Sequence, residues 1–163
     1  NMKKILFKSG STMMGGLEKV QIEYINFLVK QEKYQIKIVI ENDNGKDNAL
    51  EKYINSNVTY LKDYNYILEI KNLRENRKKS LWSRIKYNLA ISKEKKYADN
   101  KFLQIYKEYK PDILISDPVY KNLVNEEITF IPLLHYGYST RLYLELDYEY
   151  CGKKAYEYFK KFI

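Results

Sequence analysis

Short apolar runs, separated by polar stretches rich in turn residues, set the first expectation for this chain. Ile5-Leu6-Phe7, within residues 3–8, reads as a buried strand, and residues 9–16 form a turn rich in Gly and Ser. Residues 16–31 predict a helix, with Leu17, Val20, Tyr24, Phe27 and Leu28 recurring at three- and four-residue steps. Ile36, Ile38, Val39 and Ile40 mark a second strand over 35–41. The run Asn42-Asp43-Asn44-Gly45 is a strong turn signal, followed by a short helix over 48–55 and a third strand over 58–61. Residues 65–110 carry no strand pattern and read as two or three polar helices, the last near 94–109 and stopped by Pro111. Ile113-Leu114-Ile115 is a fourth strand, a short helix runs from Asp117-Pro118 to Val124, and 129–135 is a fifth apolar run with Pro132 inside it, a sign of bent or irregular pairing. A final helix spans 149–162.

Continuous apolar strands alternating with helices predict an α/β fold: a Rossmann-like parallel sheet with helices on both faces. Ligands of such sheets bind at the carboxyl ends of the strands, where the strand order reverses. The loops 9–16, 116–118 and 135–139 are therefore the expected site.

Composition narrows this only a little. A chain of 163 residues is one domain, long enough to bury a core. Its 18 tyrosines belong to a general bias toward Lys, Asn, Ile and Tyr, so they are poor evidence for an aromatic site. The single cysteine, Cys151, excludes an intrachain disulfide and suits a reducing cytoplasm. No secretory signal follows Met2-Lys3-Lys4, and no apolar stretch approaches the roughly 20 residues that cross a bilayer.

Charge changes the picture more. Segment 71–96 holds ten basic residues and two acidic ones, which equals the whole net charge of +8. The basic set includes Arg74, Arg77, Lys78, Lys79, Arg84 and Lys86. Within it Leu81, Ile85 and Leu89 fall at i, i+4 and i+8 beside Trp82. A cationic helix with an apolar stripe suits the surface of an anionic membrane. The alternative is a stripe packed on the domain with solvated lysines. No nucleic-acid motif accompanies the patch, so no nucleic-acid partner is expected.

The first loop reads Ser9-Gly10-Ser11-Thr12-Met13-Met14-Gly15-Gly16-Leu17-Glu18, between a strand and a helix, where amides and the helix dipole favour an anion. It is not a P-loop, because Gly16-Leu17 stands where Lys-Ser/Thr is needed, and G-x-G-x-x-G is absent, which leaves Glu41 without the glycines of a dinucleotide fold. With its strand and helix, this Gly-Gly-x-Glu segment resembles the opening of family 4 (group 1) GT-B glycosyltransferases. Lys110-Pro111-Asp112-Ile113-Leu114-Ile115 is similar to that family's Pro-Asp strand, and 131–135 to its following strand, which ends in His.

The resemblance implies an N-terminal, acceptor-side domain over 1–163, from which the C-terminal nucleotide-sugar domain of the same chain is missing. It implies a transferase as the full-length parent, inactive as this fragment, working at the cytoplasmic membrane face on glycan or glycolipid acceptors of cell-surface polysaccharide or lipopolysaccharide. No cofactor or metal is expected in this fragment, the nucleotide-sugar donor belonging to the full-length enzyme. Ser11, Gly15, Gly16 and Glu18 would form the phosphate or acceptor loop, although Glu18 is equally read as a helix cap. Asp117 would contact the acceptor or cap the turn before Pro118. His135, the only histidine, would hydrogen-bond donor sugar or acceptor as the catalytic-site candidate, or else lie in the core.

Departures from the family keep two rivals open. Glu149 and Glu157 have the Glu-x(7)-Glu spacing without its context, and a further strand is expected after Ile163. The first rival is a non-catalytic Rossmann-like module for a phosphorylated ligand or anionic membrane. The second is a GT-A transferase, whose Asp-x-Asp has its nearest match in Asp147-Tyr148-Glu149.

Overall fold

The computed structural model describes residues 2–116 and 128–133. Five strands form one sheet: β1 (Lys3–Ser9), β2 (Tyr34–Asn42), β3 (Val58–Lys62), β4 (Ile113–Ser116) and β5 (Thr129–Pro132). Their order is β3-β2-β1-β4-β5 and every pairing is parallel. The fold is thus a Rossmann-like α/β sheet. The predicted helices over 118–124 and 149–162 lie outside the described residues.

Strand order dictates the layering. The chain steps one way from β1 through β2 to β3, then crosses back over the sheet to β4. Right-handed crossovers in opposite directions put their helices on opposite faces. Helix α1 (Gly16–Lys30) accordingly lies on one face, where Ile22, Ile25 and Leu28 pack with Ile5, Phe7, Ile38, Ile40 and Ile115. On the other face Phe102 of α3 (Leu81–Tyr109) packs with Leu6, Val39, Leu61, Leu114 and Phe130. Strand β1 is buried on both faces, as its unbroken apolar run demands.

Three local expectations are corrected. Residues 48–55 are not a helix: two 3₁₀ turns, Gly45–Asp47 and Glu51–Tyr53, carry the chain while Leu50 and Ile54 reach the core. In α1 the buried face is Gln21, Ile22, Ile25 and Leu28, and Val20 and Phe27 are exposed. Of the predicted set Leu28 is buried and Tyr24 packs edge-on against Phe7, so the seat on the sheet keeps that part of the stripe and turns Val20 and Phe27 to the outside. The polar stretch 65–110 resolves into α2 (Tyr64–Asn76) and a single continuous α3, which starts at Leu81 rather than near 94. Asp63 caps α2 by accepting from the Tyr66 N–H, and Ser80 caps α3 by accepting from the Ser83 N–H.

Pro132 does not distort the sheet. The N–H groups of Thr129 and Leu133 donate to the carbonyls of Asp112, just before β4, and of Ser116, its last residue. Alternation turns the Pro132 nitrogen the other way, so its missing N–H costs the β4 ladder nothing. At the opposite end of β4, Asp112 accepts from the Lys4 N–H at 2.8 Å and fixes the start of the strand against β1.

Helix α3 outruns the sheet. Its 29 residues span roughly 43 Å, against roughly 23 Å for the seven residues of β1. Near its C-terminus, Tyr109 donates to the Gln35 carbonyl at the start of β2. Glu94 meets Lys62 at the end of β3, 2.7 Å away. The 13 residues before Glu94 therefore project about 20 Å beyond the carboxyl edge of the strands. Helix α2 leaves that edge from β3 and α3 returns to it, giving a helical hairpin stacked at its base through Tyr66 and Tyr97, whose ring centroids are 4.9 Å apart.

The Lys62–Glu94 pair should carry the attachment of this hairpin. Glu94→Gln replaces a charge-assisted hydrogen bond to a nearly buried ammonium and is expected to cost about 2 kcal/mol in urea unfolding. An unchanged unfolding midpoint would show that the pair does not hold the hairpin to the sheet.

Candidate functional site

The reversal in strand order falls between β1 and β4, whose carboxyl ends lie side by side through the Lys8–Ser116 pairing. The first loop leaves β1 there, and its backbone is fastened at two points. Asn42 N–H donates to the Gly10 carbonyl at 3.1 Å, and Leu50 N–H to the Thr12 carbonyl at 2.9 Å. Side chains add to this: Ser9 Oγ donates to Gln21 Oε1 on α1, and Thr12 Oγ1 lies 3.5 Å from the Tyr60 hydroxyl on β3. Thr12 is buried in consequence, while Met13 and Met14 at the loop's outer turn are exposed.

Two adjacent glycines do different things. Gly15 is the N-cap of α1 and offers no side-chain cap. The Glu18 carboxylate folds back over it, and a Cβ at Gly15 would collide with that carboxylate. Ser11 Oγ donates to Glu18 Oε1 at 3.4 Å, so Ser11, Gly15 and Glu18 form one cluster at the positive end of the α1 dipole. A Cβ at Gly16, by contrast, would meet nothing within 4 Å. Of the predicted loop residues, Gly16 leaves the approach open, and Gly15 has the Glu18 carboxylate beside it.

Behind the loop lies a chain of charges. Lys8, fully buried on β1, is 3.5 Å from Glu41 Oε2; Lys62 is 3.9 Å from Glu41 Oε1 and 2.7 Å from Glu94. Glu41 is engaged by two lysines here. Asn42 Oδ1, beside the loop, is buried without a donor among the described residues.

The basic segment sits on the hairpin. Arg74 lies on α2, Arg77, Lys78 and Lys79 in the turn, and Trp82, Arg84 and Lys86 in the first turns of α3. Ser83, Tyr87, Glu94 and Ala98 follow the more buried side of α3. Leu81, Trp82, Ile85 and Leu89 lie roughly half a turn round from that line. Leu81 and Trp82 are 72% and 73% exposed, so this apolar stripe faces away from α2 instead of packing on it. Asp117 and His135 lie outside the described residues, as do Asp147, Glu149 and Glu157. Among the described residues no helix is long and apolar enough to cross a membrane.

Tyr60, Thr12, Lys8 and Asn42 were not singled out from the sequence. Their roles arise between strands and loops distant in the chain. The one signal for Lys8 was its place at the end of an apolar run, where a charge needs a buried partner. The chain matches no known protein family, no curated protein and no solved structure.

Burial pushes the Tyr60 hydroxyl up to about 12; the Thr12 hydrogen bond pulls it down and the Glu51 charge pushes it up again. In the unfolded chain it returns to the ordinary value of 10.0. The folded state then holds the proton longer, so stability is intact below pH 10 and is lost as pH rises from there to about 12. The stability difference between the protein and Tyr60→Phe, followed by thermal unfolding, should shrink across that range. A constant difference would mean that Tyr60 titrates as a solvated tyrosine.

Proposed function

We propose that this domain is the acceptor-side half of a GT-B glycosyltransferase. It would present a membrane-linked glycan acceptor at the carboxyl edge of its sheet, while a second Rossmann-like domain holds the nucleotide-sugar. The observation that carries the reading is a coincidence of place. The Gly-Gly-x-Glu loop at the strand-order reversal and the exposed apolar and basic hairpin belong to the same sheet edge. The sugar polymers of a cell surface or a lipopolysaccharide are the products that such a position suits.

In this reading the open backbone of Gly16 admits the acceptor or a phosphate on it, and the Ser11–Glu18 cluster limits how it enters. Asp117 and His135, which follow β4 and β5 in sequence, are the proposed partners for acceptor and donor hydroxyls. The hairpin docks on an anionic membrane: its segment carries a charge of +8, and its stripe of Leu81, Trp82, Ile85 and Leu89 offers the apolar contact. This makes the domain a peripheral protein of the cytoplasmic face.

One observation favours a second reading, a non-catalytic Rossmann-like module that only docks on membranes. The Glu18 carboxylate already lies at the α1 N-terminus, where a phosphate ligand would be drawn.

Transfer assays separate the two. With cell membranes and radiolabelled nucleotide-sugars, the full-length protein is expected to move label into lipid-extractable material. Gly16→Val should lower that transfer by about tenfold or more with circular dichroism unchanged. No transfer from any nucleotide-sugar would leave only the docking module. Tight calorimetric binding of UDP-glucose or GDP-mannose to this 163-residue chain would put the donor site here and overturn the acceptor assignment.

Docking has its own test. The chain should float with anionic vesicles at low salt and be released as salt rises. Leu81→Ser with Trp82→Ser should abolish flotation without loss of stability, because both side chains are exposed. Flotation unchanged in that double variant would remove the stripe from the docking surface.

A further inference from the structure

The turn of the hairpin encloses an open groove of about 720 Å³, lined by Arg77, Lys78, Ser80, Leu81, Arg84 and Tyr87 among others. Three features set it apart from the general basic character of the arm. First, Arg77, Lys78 and Arg84 converge on one concavity and hold no ion pair among the described residues. Second, the Arg77 guanidinium lies over the Tyr87 ring, 5.3 Å from its centroid. A cation–π contact of this kind uses none of the guanidinium's N–H groups on an acid, and a guanidinium fork matches phosphate oxygens two at a time. Third, Leu81 lines the groove and also begins the exposed stripe that runs through Trp82, Ile85 and Leu89. A ligand filling the groove with a polar anion would have its apolar part beside that stripe.

We propose that this groove binds the phosphate of a lipid headgroup, with the lipid's hydrocarbon against Leu81 and Trp82. The inference rests on the membrane-docking part of the proposed function and deepens it from diffuse attraction to a defined site. Three cations around one concavity suit the doubled charge of a phosphomonoester better than the single charge of a diester. An aliphatic stripe with a single Trp, rather than a row of stacking rings, favours a lipid over a nucleic acid strand.

The test uses the 163-residue chain and vesicles of phosphatidylcholine doped with phosphatidic acid. Arg77→Gln with Arg84→Gln is expected to weaken flotation about a hundredfold, since it removes charge-assisted hydrogen bonds as well as charge. Lys71→Gln with Lys95→Gln removes the same charge outside the groove and should weaken it about tenfold. Equal losses in the two pairs would overturn the groove while leaving membrane docking in place. No flotation of the unaltered chain on any anionic vesicle would overturn both. Inorganic phosphate should bind far more weakly than the doped vesicles. If it binds through Arg77 and Arg84 as tightly, the site takes free phosphate and the lipid is not its ligand. Tighter binding of an RNA oligonucleotide through the same two arginines would reassign the groove to nucleic acid.

Discussion

Four charges, Lys8, Glu41, Lys62 and Glu94, determine how the carboxyl edge of this sheet is put together. A wholly buried ammonium such as that of Lys8 is tolerable only with an anion close by, because desolvating it costs several kcal/mol. Glu41 supplies that charge from the neighbouring strand and shares it with Lys62, which reaches Glu94 on α3. The alternation of sign along this chain leaves little freedom. The pairs tie β1, β2, β3 and α3 together at one height along the sheet. Backbone ladders set the register of the strands, and Lys62–Glu94 adds a polar tie from that edge to α3.

The same edge shows how one short sequence can serve both structure and chemistry. At Gly15 the space of a Cβ is taken by the Glu18 carboxylate, the far end of a flexible side chain that can swing aside, so the contact ties the two residues together without making glycine obligatory. At Gly16 the same space is open. Two glycines that are adjacent in the chain and look alike in a motif thus face different surroundings.

Much of the architecture was legible in the sequence because it depends on local periodicity. The runs at Ile5-Leu6-Phe7, 36–40 and 113–115 became three neighbouring strands of a parallel sheet, and the Gly-rich loop lies where the strand order turns. The unbroken length of α3 was not legible, because polar residues between 81 and 97 mask a helix that needs only α2 for company. The direction of the Leu81–Leu89 stripe was equally hidden: periodicity shows that a face exists, and only the position of α2 shows which way it looks. For the site, Ser11, Gly15, Gly16 and Glu18 could be read as a group because they are close in the chain. Thr12 with Tyr60, and Lys8 with Glu41, could not, since each pairing is made by the sheet.

Helix α3 contains neither glycine nor proline from Leu81 to Tyr109, so it has none of the usual points at which a helix bends. Its second half is held by the sheet, and its first half has, among the described residues, α2 alone beside it. Its anchors on the sheet are Glu94 and Lys101, whose partners are Lys62 and the carbonyls of Tyr60 and Leu61. Tyr60 is also the residue against which Thr12 of the first loop rests. The base of the arm and the first loop thus rest on one residue, Tyr60, from its two ends, carbonyl and hydroxyl.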